Sequence, residues 1–204
     1  MKNSRFFSAL GLAILCLQAG VMLVSWVVNA ADPQLHIRPI LSAEGLRWLF
    51  GSFVDNLASP LTVWLILIAM AWGALEASGL LKAVYGLQRP SRLSFRQALG
   101  LWLVLFEVAA FVAVSLLLTA VPHALLLSIT GHLFPSSFSR GLLPMLAAMA
   151  LILSLSYGAA SGTLDTLGKA YEACLFGFRK WAVLWPIYIL ATELICSIMF
   201  VFYL

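Results

Sequence analysis

The sequence predicts an all-α, polytopic membrane protein, and three observations carry that reading. Of its 204 residues, 63% are hydrophobic and only 10% are charged, at a mean hydropathy of +1.02. A soluble domain carries charge on roughly a quarter of its residues. So few charges could not coat a water-facing surface, and lipid is therefore the expected solvent. The apolar residues are also gathered into five long runs, at about 6–28, 60–82, 97–121, 141–161 and 183–203. Each run is near the roughly 20 residues needed to cross a hydrocarbon core of about 30 Å at about 1.5 Å per residue. In hydrocarbon every backbone N–H and C=O must be bonded within the protein, so the runs are predicted as helices of one transmembrane domain covering 1–204. The third observation is the placement of the cations. With a cytoplasmic N-terminus, nine of the twelve Lys and Arg residues fall on the inner side. These are Lys2, Arg5, Lys82, Arg89, Arg92, Arg96, Lys169, Arg179 and Lys180, leaving Arg38, Arg47 and Arg140 outside. This asymmetry sets topology in multi-pass proteins and predicts an N-in, C-out chain. It also accounts for a pI near 9.2 through anionic lipid head groups, without nucleic acid.

The first run has two readings. Lys2 and Arg5, the apolar stretch and Val28-Asn29-Ala30 resemble a secretory leader with its cleavage site. The stretch is longer than a leader core, however, and Trp26 stands where an interfacial anchor belongs, which favours a retained helix. Next, residues 42–54 place Leu46, Leu49, Phe50 and Phe53 at i, i+3, i+4 and i+7. That spacing predicts an amphipathic helix capped by Ser42, either lying at the membrane interface or packed on the bundle. Pro60 suits the first turn of the second span. Residues 122–140, with Pro122, Gly131 and Pro135, hold an apolar piece too short to span and read as an interfacial or re-entrant turn.

Small residues recur at helix-packing spacing. Ala69, Gly73 and Ala77 on the second run, Ala109 and Ala113 on the third, and Gly158 to Gly162 at the end of the fourth predict faces turned into the bundle. No repeat or inverted symmetry relates the two halves.

Three carboxylates lie inside spans, at Glu76, Glu107 and Glu193. A charge near the bilayer centre costs about 2.5–3.5 kcal/mol on insertion scales, so each needs an explanation. Glu107 and Glu193 lie near the midplane and Glu76 nearer the cytoplasmic interface, and no cation occupies the middle of any run. The carboxyls are then protonated, line a water-filled cavity, or bond to hydroxyls and backbone. They read either as a proton or cation relay and substrate site, or as hydrogen bonds that strengthen packing.

No enzyme, metal or cofactor is expected. Cys16, Cys174 and Cys196 and the isolated His36, His123 and His132 lack metal-ligand spacing. No phosphate loop, HExxH or G-x-S-x-G is present. Ser161, Thr163, Asp165 and Lys169 read as a helix end followed by a short polar helix.

One stretch carries a family likeness. Ser42-Ala-Glu44-Gly45-Leu-Arg47-Trp48-Leu49-Phe50, then Val54, Asn56 and Pro60-Leu61, leads to Gly73-Ala-Leu-Glu76-Ala-Ser78-Gly79-Leu80. Over about residues 38–81 the chain resembles the p-aminobenzoyl-glutamate transporter family. The resemblance implies a bacterial inner-membrane protein that moves a small organic anion or drug-like solute with a cation gradient. Together with the intramembrane carboxylates Glu107, Glu193 and Glu76, Asn56 of the matching stretch completes the candidate substrate or ion site, and the expected partners are lipid, further copies of the chain or other membrane subunits. That family is longer, and its later Ser/Asp- and Pro-containing core motifs are not found after residue 82. The chain therefore looks like a shortened or diverged relative, and a non-transporting subunit of a larger complex is the alternative expectation.

Overall fold

The computed structural model describes residues 2–35, 37–86, 93–120 and 137–203. The expected turn at 122–140 falls largely on 121–136, outside them, as do His36, His123, His132, Arg89 and Arg92. Among the described residues the structure is helical and contains no strand. Five helices are long and apolar enough to cross a membrane. These are α1 (Lys2–Ala31), α4 (Pro60–Ser78), α6 (Phe95–Ala120), α7 (Ser137–Ser161) and α9 (Leu184–Phe202). Between them lie α2 (Ala43–Gly51), α3 (Phe53–Leu57), α5 (Leu80–Gly86) and α8 (Leu167–Lys180).

The differences from expectation have local causes. The second apolar run does not continue to 82: α4 stops at Ser78, because Gly79 takes φ +79°, a left-handed conformation costly for any side chain. Ser78, fully buried, spans the break, its hydroxyl donating to the Leu75 carbonyl and accepting the Leu80 N–H. The segment expected at 42–54 is two helices, α2 and α3, meeting at Ser52. Ser42 caps α2 as its residue type predicts, its hydroxyl accepting the Gly45 N–H at 3.0 Å.

The chain divides into two compact units. One comprises Met1–Thr62 with Trp181–Leu204, the other Val63–Lys180. In the first unit α1 packs on α9, joined by Gln18 Nε2 donating to Ser197 Oγ at 2.7 Å. Buried Ile40 and Ser25 hold the connection to α2, with the Ile40 N–H donating to the Ser25 hydroxyl. Gly45 turns inward against Ile40, and Trp48 stacks on Phe200 at 4.3 Å between ring centroids. The apolar stripe of α2 and α3 stays outside this packing. Phe50 is 80% exposed, and Leu46 and Phe53 are also exposed, leaving that stripe free for the membrane interface.

In the second unit α6 packs along α7 around Leu80, Ala83, Leu153 and Tyr157. Gly100 admits the Tyr157 ring. The small-residue faces are only partly as expected. Ala69 and Gly73 are buried where α4 crosses α8 at Gly177, and Gly158 is covered by Leu164. Ala109 and Ala113 instead point outward from this unit. The packing face of α6 is made by Gly100, Leu101, Val104 and Val108, one helical face displaced from the alanines.

Candidate functional site

In the first unit α9 carries Tyr188, Glu193 and Ser197, each hydrogen-bonded to a different part of the unit. Glu193 lies nine residues after the start of that helix and is only 8% exposed. Its Oε2 accepts a hydrogen bond at 3.2 Å from Nδ2 of Asn56, which the short helix α3 delivers. Its Oε1 is buried without a hydrogen-bond partner among the described residues, and so is Gln18 Oε1. Leaving a buried polar atom unmade costs on the order of 1–3 kcal/mol, and native proteins keep few of them. One such oxygen on a carboxyl group marks a place where a proton or a ligand can be accepted.

Asn56 faces two ways. Besides holding Glu193 it lines a cavity of about 380 Å³ with Arg38, Trp48, Phe200 and Tyr203. The Arg38 guanidinium sits 3.9 Å from the centroid of the Tyr203 ring and 5.6 Å from that of Phe200. Arg38 also approaches Glu44 at 3.9 Å, a contact exposed on both sides and correspondingly weak. Tyr203 closes α9 in the left-handed conformation at φ 58°, its N–H donating to the Met199 carbonyl. The volume and lining suit a small organic molecule with an aromatic or apolar body and a negative group. At the other side of Glu193, hydroxyls cluster at the start of α4. Tyr188 OH lies 2.6 Å from Thr62 Oγ1 and 3.4 Å from Ser59 Oγ, and Thr62 also donates to the Leu57 carbonyl.

The other two carboxylates belong to the second unit, and they differ from each other. Glu107 stands mid-way along α6, half-buried, with Oε2 buried and unpartnered among the described residues. Glu76, by contrast, has a cation. Lys180 at the end of α8 donates to both its oxygens, at 2.6 and 2.8 Å. The sequence showed no cation inside a span, and Lys180 is outside one: α8 brings it to the end of α4. With both side chains a third or more exposed, the pair is worth about 0.2–1 kcal/mol.

Glu76 also lines a cavity of about 700 Å³ with Ser78, Lys82, Gln97, Tyr157 and Thr163. Thr163 belongs to the helix end read from the sequence, and it makes a tertiary contact there. Its hydroxyl donates to the Ser78 carbonyl at 2.9 Å, tying the turn after α7 to the end of α4. Lys169 and Asp165 form an exposed pair at 2.7 Å, and that hydrogen bond holds the Asp165 carboxyl below the usual carboxylate range.

Of the four residues expected at a site, the structure thus joins Asn56 to Glu193 and places Glu76 beside a cavity with Lys180 as its partner. Gln18, Arg38 and Tyr188 were not expected. Gln18 had a readable signal, a polar amide in the middle of an apolar run. The chain matches no family model, no curated protein and no solved structure.

Proposed function

We propose that this membrane protein is a small secondary transporter of an organic anion, in which the Arg38–Trp48–Tyr203 cavity receives the solute and Glu193 exchanges the proton. One observation carries the reading. Asn56 is at once a wall of the cavity and the hydrogen-bond partner of a buried carboxyl whose second oxygen is unmatched. A solute that draws the Asn56 amide toward itself weakens the Asn56–Glu193 bond, so occupancy of the cavity and protonation of Glu193 become linked. The likeness of residues 38–81 to p-aminobenzoyl-glutamate transporters covers Arg38, Trp48 and Asn56 but not Glu193, and it supplies a probe. In proteoliposomes loaded with a pH-sensitive dye, adding p-aminobenzoyl-glutamate should move protons with the wild-type chain. Glu193→Gln should abolish that signal, and equal signals from the two proteins would sink the role given to Glu193.

The orientation supported by the cation count is N-in and C-out, in the inner membrane of a bacterium. In a background with the three native cysteines replaced by serine, Glu44→Cys should react with a membrane-impermeant maleimide in intact cells. Lys169→Cys should react only after the membrane is opened. The reverse pattern would invert the topology.

The bare helices favour a second reading. Only 6% of the apolar window is buried in α1 and in α6, against 28% in α4. Such faces suit lipid, a second copy or a foreign membrane subunit. Purification in mild detergent discriminates: a stoichiometric foreign partner would make the chain a subunit, and a homogeneous homo-oligomer or monomer supports the transporter.

A further inference from the structure

We propose that the second unit holds a binding site for one anionic phospholipid. Its phosphate head would sit in the polar cavity beside Lys82, and an acyl chain would lie in the apolar groove of α5 and α6. The lipid site is independent of the proposed transport and shares no residue with the Arg38–Trp48–Tyr203 cavity, Asn56 or Glu193.

Two hollows in this unit share a wall. The 700 Å³ cavity presents hydroxyl, amide and charged groups from Ser78, Lys82, Gln97 and Thr163. The second, about 520 Å³, is apolar, formed by Val84, Leu101, Trp102, Val104 and Val108. Leu93 lines both, and the neighbouring pairs Ala83–Val84 and Gln97–Ala98 each contribute one residue to either side. Across Leu93 and these pairs, a hollow of mixed polar and apolar lining gives way to an almost wholly apolar one, as a lipid does from head group to chain. From Leu101 to Val108 the groove follows α6 for roughly 10 Å, enough for a length of acyl chain.

Charge selects the kind of lipid. Two ionisable carboxylate or amine groups line the polar cavity, Glu76 and Lys82. Glu76 is already neutralised by Lys180. Lys82 makes no ion pair among the described residues and is exposed. Among the described residues the cavity is left with one uncompensated positive charge, which complements a phosphodiester. A zwitterionic head would carry its own competing cation. Lys82 also lies only four residues beyond the end of α4, so the charge sits where a span meets the head-group layer. A free phosphate ester would satisfy Lys82 but leave the adjoining groove empty, and the two together point to a lipid.

Native mass spectrometry of the delipidated full chain tests this, with phosphatidylglycerol, phosphatidylcholine and glycerol 3-phosphate as probes. One phosphatidylglycerol per chain should be retained, about fivefold in preference to phosphatidylcholine. Lys82→Gln, at an exposed site with no fold to disturb, should bring the two lipids to parity. Lys169→Gln, whose cation is paired elsewhere, should leave the preference intact, and Leu101→Trp should weaken both lipids by filling the groove. Equal binding of the two lipids by the wild type, or a preference that survives Lys82→Gln, would overturn the proposal. Glycerol 3-phosphate binding as tightly as the lipid would also overturn it, showing a soluble-anion site.

Discussion

Gly177→Ala should lower the melting temperature of the protein more than any other single-methyl change in its helices. At the crossing of α4 and α8 a Cβ on Gly177 would overlap the Ala69 carbonyl oxygen, and one on Gly73 would overlap the Gly177 amide. The obstructing atoms are backbone, so no side chain can swing aside and the helices must separate. Added volume in a packed interior typically costs about 1–3 kcal/mol, and an unyielding backbone places this case at the upper end. Lipid offers no hydrophobic compensation, because association within a bilayer rests on close van der Waals packing of just this kind. Separation would also lengthen the Lys180–Glu76 bridge, three residues beyond each glycine. Gly20→Ala is the control, since nothing lies within 4 Å of the added methyl in α1. There alanine should gain about 0.5–1 kcal/mol through helix preference. Thermal unfolding in detergent, followed by circular dichroism, reads the difference. Indistinguishable melting of the two variants would mean that α4 and α8 do not meet at these glycines.

That crossing shows how much of the fold is legible in the sequence. Ala69 and Gly73 are conspicuous as small residues in an apolar run, and their burial follows. Their partner pair, Ala173 and Gly177, has the same spacing but sits in a segment too polar to read as packed against a span. The five spans are readable because hydrocarbon enforces one solution, helix, on every long apolar run. Ser42 is readable as a cap because its hydroxyl acts within three residues. What needs long-range pairing is not readable. The Glu76–Lys180 bridge joins positions 104 apart, and the Asn56–Glu193 bond positions 137 apart. Periodicity says which face of α6 is apolar on average but not which neighbour it meets, so Ala109 and Ala113 look like packing residues and are exposed in this chain. The burial cost of a carboxylate draws attention to Glu193, while its hydrogen-bond partner, Asn56, enters the sequence reading only through a family likeness.

The two roles open to Glu193 predict opposite signs for one measurement. If Glu193 is retained for packing, replacing it and Asn56 together by leucine should destabilise the first unit. If it is retained for function, the double variant should be at least as stable as the wild type and should carry no flux. The hydrogen bonding at Glu193 predicts that the double variant is at least as stable as the wild type. Oε1 is already buried without a partner, a deficit on the order of 1–3 kcal/mol that two leucines would remove. Removing both members of a hydrogen bond in favour of apolar groups of similar size is often neutral or stabilising, whereas removing one is not. Asn56→Leu alone should therefore destabilise by about 1–3 kcal/mol, since it strips Glu193 of its one side-chain hydrogen bond among the described residues. Glu193→Gln keeps the volume and a bond to Asn56 but has no exchangeable carboxyl proton, so it should melt near the wild type and still fail in the proton-flux assay. A double variant that melts lower than Asn56→Leu would assign the pair to packing. A double variant that melts higher and transports nothing would show that the protein tolerates an unsatisfied carboxyl in its apolar interior for the sake of what that carboxyl does.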